Sequence, residues 1–121
     1  MGKSIFVFGS NLAGRHGAGA AKYAVDNHGA VYGIGRGLQN SCYAIPTKDW
    51  AIQTLPLTEI KKSVDEFIEF AKMHSELLFD ITRIGCGLAG YTDNQIAPMF
   101  KNAPLNCRMP EEWAEFLGDK N

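Results

Sequence analysis

The chain predicts an α/β fold built on a mainly parallel sheet. Two observations carry that prediction. Apolar runs of strand length (IFVF, SCYAIP, LLFDITRI) alternate with segments of helical character, and glycine clusters follow the first and the last of those runs. With 121 residues the chain fits one domain spanning 1–121. A domain of this size buries roughly two thirds of the surface its unfolded chain exposes, enough for a core without disulfides or metals.

Residues 3–8 read as the first strand, because Ile5, Phe6, Val7 and Phe8 are consecutively apolar, as in a strand covered on both faces. The stretch GSNLAGRHGAGAA, Gly9 to Ala21, is a glycine-rich turn leading into a helix over about 17–27, with Gly29 as its stop. AVYGIGRGLQN reads as a strand fraying into a loop, and Ser41–Pro46 as a short buried strand ended by proline. Between Leu57 and His74, the residues Leu57, Ile60, Val64, Phe67, Ile68 and Ala71 fall at helical spacing, with most charges off that stripe. LLFDITRI, 77–84, is the next strand, and GCGLAGY a second glycine turn. Thr92 and Gln95 have the spacing of a capping box, and Pro98 should shorten the helix it opens. A short strand at 107–109 and a helix opening at Pro110 complete the chain.

Twelve basic and thirteen acidic side chains give a formal charge of −1, so no broad footprint for nucleic acid or an anionic membrane is present. The three cysteines, Cys42, Cys86 and Cys107, form neither a disulfide framework nor a zinc-ligand spacing. They point to a reducing, cytoplasmic setting, and no cofactor or metal is expected. No apolar run reaches membrane-spanning length, no secretory leader is expected, and Phe6 stands where a myristoylation signal requires Ser or Thr.

Glycine between a strand and a helix admits positive φ and lets another group approach the main chain. Successive amides then form a concave donor array beside a positive helix end, which suits phosphate. Gly14, Gly17 and Gly19 in the first turn and Gly85, Gly87 and Gly90 in the second are placed to hold a diphosphate from two sides. Neither turn has the P-loop pattern, and no acid follows at the distance a dinucleotide fold requires. Because ligands of parallel sheets bind at the carboxyl ends of strands, the two turns and Lys48 should converge on one rim. Asn11 has two readings, a turn former and a contact to a sugar hydroxyl. Lys48 is a solvated surface charge or, at a ligand rim, a nucleophile. His16 faces a phosphate or solvent, Arg15 and Arg36 are equally open, and Cys86 reads as a packing residue rather than a nucleophile.

The segments NLAGRHGAGAA, YAIPTKDW and ITRIGCGLAGYTDNQIAPMF resemble the macrodomain superfamily, nearest to the terminal and DNA-linked ADP-ribose glycohydrolases. The matching positions are Asn11, Gly14, Gly17 and Gly19; Pro46, Thr47 and Lys48; Gly85, Cys86, Gly87, Leu88 and Gly90; and Pro98. The resemblance implies a three-layer α/β/α sandwich with a cleft for ADP-ribose or a related nucleotide diphosphate, carried free or on an ADP-ribosylated macromolecule. It implies that Asn11 contacts the distal ribose and that both turns, Ala89 included, hold the diphosphate. Lys48 would engage the anomeric carbon in hydrolysis of an ADP-ribosyl linkage. Three departures accompany it. The segment between the first helix and IPTK, with GIGRGLQ, is short and glycine-rich where the DNA-linked branch carries a longer insertion, which implies a differently shaped pocket. The segment whose acid reads adenine in that family has no counterpart before Ile5, and Ala89 stands where the terminal glycohydrolases have a catalytic aspartate. Three functions follow from this reading: an ADP-ribosyl hydrolase, a non-catalytic sensor or sequestering module for ADP-ribose-derived nucleotides, and a bare interaction domain.

Overall fold

The computed structural model describes residues 3–118. Its sheet is central and its order is β2-β3-β1-β4-β5, where β1 is Lys3–Asn11, β2 Gly37–Gln39, β3 Cys42–Lys48, β4 Leu77–Ile81 and β5 Cys107–Arg108. Four of the five strands run parallel; β2 alone pairs antiparallel, against β3. The mixed α/β class with a mostly parallel sheet is therefore the observed one.

Side chains of a strand alternate between faces, and both faces here are covered. From β1, Ile5 and Val7 enter the larger core cluster, while Phe8 enters a smaller one with Phe6 packed beside it. From β3, Tyr43 and Ile45 go to the larger cluster and Cys42 and Ala44 to the smaller. Helix α1, Gly19–His28, lies on β1 and buries only Ala21 and Ala24, so it sits close to the sheet. Gly29 ends it in the left-handed region, as the sequence suggests. Helix α2, Leu57–Met73, covers the other cluster with Ile60, Val64, Phe67, Ile68 and Ala71 along the expected stripe. Beyond β4, α3 (Asp93–Ile96) starts from the Thr92/Gln95 capping box, with the Gln95 side chain accepting the Thr92 N–H at 3.0 Å. It passes at once into a 3-10 turn, Ala97–Phe100, whose second residue is Pro98. The chain closes with a 3-10 turn at Glu111–Trp113 and α4, Ala114–Leu117, and Trp113 is fully buried against Phe100.

Four strand boundaries differ from expectation: β3 is not ended by Pro46, which still pairs with Ser10, but runs on to Lys48, and the other three each have a local reason. β1 runs on to Asn11, because Gly9 and Ser10 keep pairing with Ile45 and Pro46 before a bulge at Ser10/Asn11. Strand β4 stops at Ile81: Thr82 gives both its N–H and its hydroxyl to the Val7 carbonyl, and Ile84 N–H turns back to the Thr82 carbonyl at 2.7 Å. In AVYGIGRGLQN the order is reversed, loop first and strand second. The loop is pinned by Gln39, whose buried amide accepts from Val31 N–H and donates to the Ile34 carbonyl.

Candidate functional site

The carboxyl ends of β3, β1 and β4 meet at Gly9. A Cβ built there would lie 3.5 Å from Gly85 N, 3.6 Å from Ile84 Cγ2 and 3.6 Å from Thr47 Cγ2. Above this point opens a cavity of about 640 Å³, of the size that holds a nucleotide-sized ligand. One wall is the first turn and the start of α1, including Asn11, Arg15, Gly17, Gly19 and Ala21. The facing wall is Thr82 to Ala89, and the rest comes from Thr47, Lys48, Ile52 and Tyr32. The two walls come together at their glycine ends: a Cβ on Gly19 would meet Leu88 Cδ1 at 3.7 Å.

Most of the sequence-predicted residues reach this cavity. Asn11, Gly17, Gly19, Lys48, Gly85, Cys86, Gly87, Leu88 and Ala89 line it; Gly14 and Gly90 do not. Gly14 instead has φ +68° and lies under the following loop, where a Cβ would fall 2.2 Å from the Gly33 carbonyl carbon. Its carbonyl accepts the Gly33 N–H at 2.8 Å. Gly90 closes the second turn through its N–H to the Gly87 carbonyl.

The walls are rich in unused donors. Helix α1 has alanine at its N-cap, no side-chain cap and no acid in its first turn. The amides of Gly19, Ala20 and Ala21 thus have no acceptor within the helix and none from a capping side chain. In the second turn the Cys86 and Gly90 amides bond to Arg83 and Gly87 carbonyls, whereas those of Gly85, Gly87, Leu88 and Ala89 find no acceptor among the described residues. Three cations, Arg15, Lys48 and Arg83, line the cavity, and among the described residues no carboxylate does. Lys48 is half-buried at the end of β3, and its ammonium pairs with no described residue. Arg83 is held in place by Asp93, with Nε to Oδ1 at 3.0 Å and Nη2 to Oδ2 at 2.8 Å. Asp93 also accepts Trp113 Nε1–H at 2.8 Å. These contacts, Arg83 first, bring the Asp93 carboxyl down to about 2.

Three readings of side chains are corrected or narrowed. His16 faces neither phosphate nor solvent: it is buried, Nε2 donates to the Ile34 carbonyl at 3.0 Å, and its ring packs edge-on to Phe8. Arg36 pairs at the surface with Glu66. The Asn11 amide is committed to the turn, with Nδ2 donating to the Arg15 carbonyl and Oδ1 accepting the Arg15 N–H, both at 2.9 Å. Cys86 behaves as the packing residue expected, since burial, then Asp93, pushes its thiol up to about 12 and keeps it protonated.

Sequence reasoning missed Tyr32, Ile52, Thr82 and Arg83 as cavity residues. Ile52 has φ +63°, costly for a β-branched side chain. It is held there by Asp49, whose carboxylate accepts the Ala51 and Gln53 amides and whose N–H reaches the Gln53 carbonyl. Thr54 then ties this loop to the second turn through the Ala89 carbonyl at 3.1 Å. The cues were present, an aromatic just ahead of two glycines (VYGIG) and a TRI tripeptide before the second turn, but nothing in them gives direction.

Compared with protein-family models, with characterised proteins and with solved structures, the chain matches none. Among the described residues no helix is long and apolar enough to cross a membrane, and no cluster of His, Cys, Asp and Glu has the makings of a metal site.

Proposed function

We propose that this is a macrodomain-like α/β/α domain whose cavity binds ADP-ribose or a related nucleotide diphosphate. The observation that carries the reading is the facing pair of main-chain donor sets, Gly19–Ala21 and Gly85–Ala89, in one cavity lined by three cations and no described carboxylate. Uncapped amides of a helix end and of a glycine turn favour an anion held between them. Arg15 and Lys48, whose charged groups pair with no described residue, add long-range attraction. Its three cysteines are free thiols, which agrees with work in a reducing cytoplasm.

Hydrolysis extends the reading. In it the Lys48 amine attacks the anomeric carbon of the distal ribose, the bond to the acceptor breaks, and the acceptor leaves with the electron pair and a proton. Water then releases ADP-ribose from the lysine. The alternative, a sensor that binds without turnover, has its own support: Asp49, Asp80 and Asp93, the acids nearest to cavity residues in sequence, are spent on loop amides, on Arg108 and on Arg83 with Trp113. Titration calorimetry with ADP-ribose tests binding, and release of ADP-ribose from modified protein or DNA by wild type and Lys48→Ala tests turnover. Saturable binding supports the reading. Its absence removes the proposed function, and equal release by both forms removes the role of Lys48.

A further inference from the structure

The cavity offers a diphosphate many donors but offers a nucleobase few. Apart from the Tyr32 hydroxyl, its neutral polar oxygens are already committed to the main chain: Ser10 Oγ donates to the Gly35 carbonyl, Thr47 Oγ1 to that of Ser10 and Thr82 Oγ1 to that of Val7. Asn11 is spent on Arg15, as described. Reading one base against another needs paired donors and acceptors at its edge, and a carboxylate or amide side chain is the usual means.

Tyr32 offers something else. It is a cavity residue, 64 % exposed, on a loop that is anything but loose. On either side of it, Val31 N–H is held by Gln39, Gly33 N–H by the Gly14 carbonyl, and the Ile34 carbonyl by both Gln39 and His16. Gly35 packs so closely on β1 that a Cβ would fall 1.9 Å from the Asn11 carbonyl oxygen. The ring itself stands edge-on to buried His16, with centroids 6.0 Å apart. An exposed aromatic on a fixed loop is a stacking platform whose ordering cost has been met in folding.

Resting on the nucleotide reading above, we propose that Tyr32 holds the base by its π-face alone, so that the site accepts nucleoside diphosphate riboses irrespective of base. Every base has a π-face, so stacking gives affinity with little choice. Specificity then lies in the diphosphate and the distal sugar.

The test is calorimetry with a matched set, ADP-ribose, GDP-ribose and CDP-ribose, on wild type, Tyr32→Phe and Tyr32→Ala. The three should bind within about tenfold of one another. Tyr32→Phe should leave each unchanged, and Tyr32→Ala should weaken each by about fivefold or more at an unaltered melting temperature. A preference above about tenfold for one base overturns the inference, as does a Tyr32→Ala effect below about fivefold. Either result with ADP-ribose still bound leaves the nucleotide reading standing. If none of the three binds, that reading falls and the inference with it.

Discussion

Ala18→Asp should make the protein more stable and its ligand affinity worse. Ala18 is the N-cap of α1, exposed, with φ −156° and ψ 163°, the extended geometry in which an Asp side chain reaches back to the N2 and N3 amides. Replacing alanine by a capping residue at such a position is worth about 0.5–2 kcal/mol, and the new charge also faces the positive end of a helix with no acid in its first turn. For a domain of this size, 1 kcal/mol raises the melting temperature by roughly 3–6 °C. The same carboxylate occupies the donors assigned to phosphate and sets a negative charge beside them. Like charges about 4 Å apart near a surface repel by about 4 kcal/mol, and a third of that is already about tenfold in affinity. Thermal unfolding and ADP-ribose calorimetry on one preparation measure both effects. Ala18→Ser separates them, with a smaller gain in stability and a smaller loss of binding. A stabilised Ala18→Asp variant that binds ADP-ribose as tightly as wild type would refute the assignment of the α1 amides to the ligand.

Other predictions concern the scaffold and its titrating groups. Gly35→Ala drives a methyl into a main-chain carbonyl that no rotamer change relieves, so chemical denaturation should show a loss of about 3 kcal/mol; a near-neutral variant would contradict the close packing of the Tyr32 loop. Asp93 has a carboxyl lowered from 3.8 to about 2, so its contribution to stability is full above the unfolded value and fades as pH falls from about 4 towards 2. Wild type and Asp93→Asn should therefore differ in urea midpoint at pH 6 and converge near pH 2; a constant difference would deny the Arg83–Asp93 pairing. Cys86 is only half-buried, but its thiol is pushed up to about 12, so in Cys42→Ala/Cys107→Ala protein it should alkylate at pH 8 at least about a hundredfold more slowly than free cysteine. Alkylation at the free-thiol rate would sink that description.

The sheet was legible because its strands announce themselves locally, IFVF and CYAI being apolar without a break; their ends were not, since β1 runs through Gly9 to Asn11 and β3 through Pro46 to Lys48. The common rim was legible too, since parallel strands place their following turns together. What remained hidden was set by distant partners. The fate of His16 depends on the Ile34 carbonyl eighteen residues on, and the place of Tyr32 on Gln39 and Gly14. Nothing in the sequence singles out Arg83, whose place is set by Asp93, itself held by Trp113. Asn11 shows the limit plainly: one amide served two readings equally, and only the Arg15 backbone bonds favour the turn.

The central claim is that amides from both glycine turns hold one diphosphate. Titrating ¹⁵N-labelled protein with ADP-ribose while following its amide resonances tests it most directly. The account predicts that Gly19–Ala21 and Gly85–Ala89 shift together along a single binding curve. Shifts confined to one turn, or to neither, would contradict it.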